Sequence, residues 1–271
     1  MLGGCSATQL AYRNLDWLIS RKVNQTVDLN SSQQAWFDNQ LEGALRWHCE
    51  TEIPRYRIEL ASLRADMLAA DFDAKTLGAY IQRAEQSADR LLEHSAPLTS
   101  GLLQRLDDEQ VRELQANLSE QLDEQYEELV APPEQERREH SAEKLNDFLQ
   151  RWLGRLNAEQ TNLVKKWAAE RGNSNELWLD NRRRWQGLLL SELATREQND
   201  FSERIRHLLV DYRQLQTSAY AEQIPRSKQA FSVLFVQVMQ ASTDEQRTHF
   251  SEAISDLLED LQALEKQCNK T

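Results

Sequence analysis

The sequence contains few of the residues that interrupt helices. Glycine supplies only eight and proline only five of the 271 residues, whereas leucine, glutamate, glutamine, alanine and arginine dominate. Those five residue types favour helices, and scarce glycine and proline leave few of the turns that a chain of short strands requires. The composition therefore predicts an all-α fold, which we expect to be an elongated layer of long antiparallel helices.

Long apolar segments are also absent. A membrane-spanning helix needs about 20 mostly apolar residues in succession, and no run in this chain approaches that length. The mean hydropathy is −0.71, 28% of the residues are charged and the net charge is −12. A chain this acidic repels nucleic acid unless a local basic patch overrides the mean charge, so we expect no nucleic-acid partner.

Residues that carry common chemistries are scarce as well. The three cysteines, Cys5, Cys49 and Cys268, lack the spacing of a zinc site or a Cys-x-x-Cys redox pair. The chain has no glycine-rich phosphate loop, no His-Glu-x-x-His and no Gly-x-Ser-x-Gly motif. We interpret His48, which has only scattered carboxylates nearby, as a polar fringe of the core rather than a metal ligand. The sequence thus predicts no catalytic residue, no metal and no cofactor, and it leaves a Cys49–Cys268 disulfide open.

Four short segments have the pattern of a helix N-terminus known as a capping box. In such a box the N-cap side chain accepts the backbone N–H of the third helical residue, N3, and the N3 side chain accepts the N–H of the cap. The predicted cap and N3 residues are Asn30 and Gln33, Asp107 and Gln110, Asn157 and Gln160, and Thr243 and Gln246. Two interpretations stay open: four independent helices with good caps, or an internal duplication that produced two related halves.

The same four segments resemble the Leu-Thr-x-x-Gln motif of small helical periplasmic chaperones of the Spy and CpxP kind. Leu-Asn or Leu-Asp takes the place of Leu-Thr at three of them, and Ser-Thr takes its place at the fourth. The resemblance is confined to the surroundings of each box. It implies a helical periplasmic protein that binds other proteins.

The first residues indicate a membrane anchor. Leu2-x-Gly4-Cys5 resembles the lipobox of bacterial lipoproteins, in which the cysteine is acylated and becomes the new first residue. An acyl chain tethers a soluble domain at about 0.8 kcal/mol per buried CH₂. A secretion signal also needs a basic and an apolar segment before the lipobox, so this interpretation requires that the gene product begins upstream of Met1. We expect lipid attachment at Cys5, with Ser6 directing the protein to the periplasmic, inner leaflet of the outer membrane of a Gram-negative cell.

The strongest break in the chain is Ala131-Pro132-Pro133. We predict a residual signal and tether over residues 1–7, an N-terminal helical half over 8–131 and a C-terminal helical half over 132–271, which can together form one continuous domain. In the first half we expect an amphipathic helix over 8–26 that packs on the body or lies on lipid. A long helix from Asn30 should then kink or break at Ile53-Pro54, and the next should end before Pro97.

In the second half, Asn173 and Glu176 predict a further capping box that opens one long helix to about Gln223, with a new apolar helix beginning at Pro225. Trp178, Arg182 and Trp185 have the i, i+4, i+7 spacing of one helix face. An arginine between two indoles can bind carboxylates, phosphates or aromatic rings, so these three residues are the candidate binding cluster. The competing interpretation is a pair of core tryptophans with arginine side chains running past them.

The chain as a whole resembles an uncharacterised family of Gram-negative bacterial lipoproteins. The cues after the lipobox are Ala-Tyr-Arg-Asn-Leu-Asp-Trp at 11–17, Val-Asp-Leu at 27–29, Trp-His at 47–48, Ile-Pro-Arg-Tyr at 53–56 and Leu-Asn-Ala-Glu-Gln at 156–160. The resemblance brings no activity and no catalytic residue with it. The leading hypothesis is therefore a lipid-anchored periplasmic protein that binds other proteins in the manner of a chaperone and is not an enzyme.

Two alternatives remain. An adaptor or sensor partner in envelope stress signalling would use the acidic helix after Asp107 or the candidate binding cluster. An enzyme that acts on cell-wall glycan would need paired carboxylates in a cleft. Helical lytic transglycosylases resemble one another around a catalytic Glu-Ser dipeptide, and this sequence has no such dipeptide.

Overall fold

The computed structural model describes residues 7–69 and 71–268, and over these residues the chain is all-α, with no strand. Cys5 lies outside the described residues. The α-helices, numbered in chain order, are α1 (Ala7–Arg13), α2 (Leu15–Asn24), α3 (Ser31–Trp47), α4 (Ile53–Met67), α5 (Ala74–Gln104), α6 (Asp108–Leu129), α7 (Glu134–Leu153), α8 (Ala158–Glu170), α9 (Ser174–Leu193), α10 (Phe201–Val210), α11 (Ser218–Gln240) and α12 (Asp244–Cys268). A π-helical segment, His48–Glu52, joins α3 to α4, and a 3₁₀ turn, Tyr212–Leu215, precedes α11. None of the helices in the described ranges combines the length and apolar character that crossing a membrane requires.

The first two capping boxes meet each other through their glutamine side chains. Gln33 Oε1 accepts the backbone N–H of its cap, Asn30, at 2.9 Å, and Gln110 Oε1 accepts that of Asp107 at 3.0 Å. Each amide also donates to the oxygen of the other, at 2.7 Å in both directions. The second N–H of Gln33 goes to the carbonyl of Arg105, 2.7 Å away, and that of Gln110 goes to Asp28 at the same distance. Both amides therefore use every donor and acceptor they possess.

The third and fourth boxes form a second glutamine pair. Gln160 Oε1 accepts from the backbone of Asn157, and Gln246 Oε1 accepts from that of Thr243. Gln246 Nε2 donates to Gln160 Oε1 at 2.9 Å, and the reverse hydrogen bond is 3.2 Å long. Gln160 has no exposed surface and Gln246 is buried. Because an unsatisfied buried amide is costly, each pair holds two helix starts that are far apart in sequence in one relative position.

Two main core clusters surround these pairs. The first joins α3, α5, α6, α9 and α10 through residues such as Phe37, Leu193 and Phe201. The second joins α4, α7, α8, α11 and α12 around Val164 and Val238. Each cluster contains residues from both sides of residue 131, and the domain boundary that we drew there stays a prediction.

One predicted helix end is wrong. Helix α5 continues through Pro97 to Gln104 rather than stopping before the proline. Pro97 cannot donate a hydrogen bond to the preceding turn, but α10 packs along α5 and stabilises it. Arg206 of α10 pairs with both carboxylate oxygens of Glu93 at 2.8 and 2.9 Å, one turn before the proline. The packing of α10 along α5, rather than this exposed ion pair alone, outweighs the local preference for a break.

The predicted long helix from Asn173 is also wrong. Helix α9 ends at Leu193. Arg204 stabilises the turn that follows by donating to the backbone and hydroxyl oxygens of Thr195. The expected capping box is missing because Glu176 instead binds Arg137, with Oε1 and Nη1 2.7 Å apart.

The start predicted at Pro225 lies seven residues too late. Helix α11 begins at Ser218, where the Thr217 hydroxyl accepts the backbone N–H of Tyr220. The N–H of Thr217 is itself donated to the Asn181 side chain of α9, 3.0 Å away. Pro225 is therefore an interior residue of a helix whose start is set by a contact with α9.

Candidate functional site

An open apolar groove of about 680 Å³ runs between α2, α3 and α5. It is built by three helix faces whose apolar residues recur at three- and four-residue spacing, so they line one side of each helix. The main contributors are Leu15, Ile19 and Val23 of α2, Phe37, Leu41 and Leu45 of α3, and Leu91, Leu98 and Leu102 of α5. Since Phe37, Leu41 and Leu102 also belong to the first core cluster, the floor of the groove is part of the packed interior.

An aromatic stack forms part of the groove wall. The rings of Trp47, at the end of α3, and His94, on α5, lie parallel with their centroids 3.8 Å apart and an interplanar angle of 10°. Both residues line the groove, as does the neighbouring His48. A flat stack of this kind joins two of the three helices that form the groove.

The chain changes from an α-helix to a π-helix next to this stack. His48–Glu52 is π-helical, and the N–H of Ile53 is donated to the carbonyl of His48, five residues earlier. The break or kink predicted at Ile53-Pro54 is thus a wider turn that leads straight into α4, with Pro54 in its first turn. A proline there has no intrahelical donor to lose, and the wide turn carries one extra residue. Single π-helical turns are frequent at functional sites.

A buried ion pair lies within the π-helical segment. Glu52 has no exposed surface. Its Oε1 accepts from Arg90 Nε at 2.9 Å and Arg55 Nη1 at 2.8 Å, and its Oε2 accepts from Arg90 Nη2 at 2.8 Å. The hydrogen bonds from Arg90 hold the pKa of Glu52 below its usual value, although burial acts in the opposite direction. Glu52 is therefore a charged structural link between the π-helical segment and α5 at neutral pH.

His48 is a titratable group that lines the groove and belongs to the same π-helical segment as Glu52. Its Nδ1 is 2.9 Å from the hydroxyl oxygen of Tyr12 on α1. Burial lowers the pKa of His48, and the charge of Glu52 opposes that shift. Burial, with a smaller effect of Tyr56, raises the pKa of Tyr12 to about 12. A neutral imidazole facing a neutral phenol is the arrangement that these shifts favour near neutral pH.

A disulfide joins the same segment to the end of the last helix. Cys49 and Cys268 are bonded, with their Cα atoms 5.6 Å apart and a separation of 219 positions in sequence. The π-helical segment is therefore held from three directions, by α1 through Tyr12, by α5 through Arg90 and by α12 through Cys268.

The groove is suited to binding rather than to acid–base chemistry. Its lining is aliphatic and aromatic apart from two histidines, Ser95 and Thr99. Within the described residues no group of three or more His, Cys, Asp or Glu side chains could hold a metal ion. The arrangement can bury an apolar ligand surface and can offer it a neutral imidazole.

The candidate binding cluster of Trp178, Arg182 and Trp185 is divided by the fold. The Arg182 guanidinium lies 5.5 Å from the Trp178 ring centroid, as an arginine stacked on one indole. Trp185 packs against the first core cluster and donates its indole N–H to the carbonyl of Leu208 at 3.0 Å. All three side chains are half-buried, and a binding role for the cluster stays a prediction.

The groove and the ion pair were not found in the sequence. A signal for the groove was present in α5, where Leu91, Leu98 and Leu102 form a stripe that continues beyond what one neighbouring helix can cover. The local spacing of Glu52 and Arg55 indicates only a pair within one helical turn, and the second partner, Arg90, is 38 positions away.

The comparisons with known proteins give one family. The model of a family of unknown function (DUF6279) matches residues 25–221, which is most of the chain, and the chain belongs to this family. No curated protein and no solved structure matches it.

Proposed function

Since membership of this family brings no activity with it, we propose that the protein is a lipid-anchored periplasmic binding protein that holds apolar segments of other proteins in the groove between α2, α3 and α5. We propose no catalytic activity and no cofactor. The observation that carries this proposal is the groove itself, a large apolar concavity in a chain that is otherwise markedly polar.

The shape of the groove favours a helical segment as its ligand. Its volume falls within the ~300–1,000 Å³ of typical ligand sites, and its walls are helices. An amphipathic helix presents apolar residues at i, i+3, i+4 and i+7, which is the pattern that a groove between helices accommodates. A periplasmic chaperone meets such segments in client proteins whose cores are not yet formed.

The tether is proposed from the Leu2-x-Gly4-Cys5 sequence alone. It is tested by metabolic labelling of the full-length gene product with a clickable fatty acid in the native cell. We expect label on the wild type and none on a Cys5→Ser variant. If the wild type takes up no label, the membrane anchor and the assignment to the outer membrane are withdrawn.

The binding activity is tested by suppression of client aggregation. A chemically denatured client protein is diluted into buffer with the protein in several-fold molar excess, and light scattering is recorded. We expect scattering to fall with the wild type and to be restored by Ala88→Glu and Leu91→Glu, which place a carboxylate in the groove lining.

Ala116→Glu, on the exposed surface of α6, is the matched control and should suppress aggregation as the wild type does. Ala88 is itself exposed, so its replacement leaves the core intact. No suppression by the wild type, or equal suppression by all variants, contradicts the proposal.

An adaptor in envelope stress signalling is the second candidate, because α6 presents a surface depression lined by carboxylates. These are Glu120, Asp123, Glu124, Glu127 and Glu128. Such a surface suits a basic partner, although a solvated acidic face has the same appearance. Crosslinking in cells separates the two functions, since one stoichiometric partner favours an adaptor and many weakly held proteins favour a chaperone.

A further inference from the structure

The outward face of α2 combines exposed apolar side chains with positive charge. Of the eight large apolar side chains that are exposed in the described residues, three lie on the first two helices: Leu10 (58%) on α1, and Trp17 (55%) and Leu18 (42%) on α2. Trp17 is the one exposed tryptophan among the seven in the chain. An exposed cluster of this kind marks an interaction surface more often than scattered single residues do.

The helical spacing of α2 separates this face from the one that packs. Leu15, Ile19 and Val23 follow one another every fourth position and line the groove. Trp17, Leu18, Arg21 and Lys22 are all exposed. Trp17 and Arg21 lie opposite the packed stripe, and Leu18 and Lys22 flank it. The Arg21 guanidinium lies 5.3 Å from the Trp17 ring centroid, so aromatic and cation form one patch.

The charge of this region is opposite to that of the chain as a whole. Residues 7–24 contain Arg13, Arg21 and Lys22 against the single carboxylate of Asp16, a net charge of +2 in a chain of −12. Asp16, Asp38 and Glu42 line a depression between α2 and α3, and Trp17 lines it as well. Leu18, Arg21 and Lys22 lie outside this depression, so both cations of the face are on its side away from these carboxylates.

We propose that this face, Trp17, Leu18, Arg21 and Lys22, docks on the surface of an anionic lipid bilayer. An indole ring favours the headgroup region, where its apolar body and polar N–H are both accommodated. Each basic residue near an anionic surface strengthens partition by roughly fivefold. The inference rests neither on the groove nor on acylation of Cys5, and it adds a second, protein-borne contact to any lipid anchor at that end of the chain.

The test uses the full chain with Cys5→Ser, so that no acyl chain can contribute. Co-flotation is measured with vesicles of phosphatidylcholine alone and with vesicles that also contain phosphatidylglycerol. We expect binding to the anionic vesicles only, weakened by added salt. Brominated lipid should quench the tryptophan fluorescence of the bound protein, and Trp17→Phe should remove that quenching while most of the binding persists.

The charge requirement is tested by Arg21→Glu/Lys22→Glu, which should weaken binding at least about tenfold. Lys165→Glu/Lys166→Glu, at exposed positions of α8, makes the same change in net charge and should have little effect. Circular dichroism checks that both double variants fold.

Four results would overturn the proposal. Failure of the Cys5→Ser protein to float with anionic vesicles rules out docking on lipid. Equal losses in the two double variants, or binding without quenching of Trp17, means that another surface or the overall charge is responsible. The last result combines two measurements: the parent protein does not bind vesicles, and Trp17→Ser lowers the molecular mass of the protein in solution without vesicles. It would identify the face as a contact between copies of the chain.

Discussion

The two glutamine pairs have the same capping-box pattern and differ in one hydrogen bond. In the first pair each amide donates to the carbonyl two residues before its partner's cap, Arg105 for Gln33 and Asp28 for Gln110. In the second pair only Gln246 follows this rule, by donating to Arg155 at 2.8 Å. By the same rule Gln160 would donate to the carbonyl of Ala241, two residues before the cap Thr243. That carbonyl accepts instead from the Asn157 side chain at 2.8 Å.

The reason lies in the residue that precedes the partner's cap. In the first pair this residue is Leu106, an apolar core residue, whereas in the second it is Ser242. Gln160 donates to the Ser242 hydroxyl at 3.0 Å and to the carbonyl of Val238 at 3.1 Å, and the Ser242 hydroxyl itself donates to Val238. A local polar substitution thus redirects one hydrogen bond while the amide pair itself is kept. A buried amide pair therefore constrains the total number of partners more strongly than their identity.

The largest effect should come from placing a charge in a pair. Gln33→Glu retains the shape but removes both donated hydrogen bonds, and it should cost about 4 kcal/mol at pH 7, close to the cost of keeping a carboxyl group protonated there. Burial raises the pKa of the new carboxyl group in the folded state. The variant protein is therefore most stable below the unfolded-state pKa of this group, and it loses stability as the pH rises. Urea denaturation at pH 7 and pH 4 should show most of the deficit recovered at pH 4.

Gln246→Glu is the matched change in the second pair and should behave in the same way. If its loss of stability at pH 7 is less than half that of Gln33→Glu, the two pairs are not equivalent and the comparison fails. Gln115→Glu, at an exposed position of α6, should be nearly neutral.

The buried carboxylate of Glu52 should differ from the neutral pairs in its response to pH. Glu52→Leu should cost about 3 kcal/mol at pH 7, because Arg90 loses its partner. Since the folded pKa of Glu52 is lowered, its contribution is present above the unfolded pKa and is lost as the pH falls through the folded value. The difference between wild type and variant, measured by urea denaturation, should therefore shrink below about pH 4.

Glu59→Leu is the control for that measurement, since Glu59 pairs with Arg83 in a half-exposed position and should cost less than about 1 kcal/mol. A pH-independent loss for Glu52→Leu would mean that packing rather than charge is responsible.

Removing one amide entirely should have an intermediate effect. Gln160→Leu should cost about 2 kcal/mol, since it leaves the N–H of Asn157 and the amide of Gln246 without their shared partner. The double variant Gln160→Leu/Gln246→Leu should be less destabilised than the sum of the two single variants. Additive losses in this thermodynamic cycle, measured by thermal or urea denaturation, would show that the amides do not act as a pair.

The smallest effect should come from the serine that distinguishes the two pairs. Ser242→Ala should cost less than about 1 kcal/mol, because Gln160 loses one acceptor but keeps the carbonyl of Val238. Ser255→Ala removes a hydroxyl that makes the same kind of bond, to the carbonyl four residues earlier, but has no amide beside it. The difference in unfolding midpoint between these two variants isolates the contribution of Ser242, and equal midpoints would mean that its bond to Gln160 is dispensable.

Local chemistry was predictable, and long-range partners were not. Each capping box lies within four residues, so the residue types alone indicate its hydrogen bonds. The end of α8 at Glu170 is also a local feature, because Gly172, two residues later, has a φ of +58°, a conformation that favours glycine. The glutamine amides, in contrast, find partners 77 and 86 positions away. The spacing of the boxes contains no information about which of them meet.

The sequence by itself determined that the chain is helical and where its four capped helices start, because helix propensity and capping act between residues within one or two turns. The tertiary structure decided that α5 continues past Pro97 and that α11 continues past Pro225. It also decided that Glu52 is buried against Arg90 and that an apolar groove remains between α2, α3 and α5. The physical reason is that packing and buried hydrogen bonds between distant helices are stronger than the local cost of a proline, and only the folded chain brings those partners together.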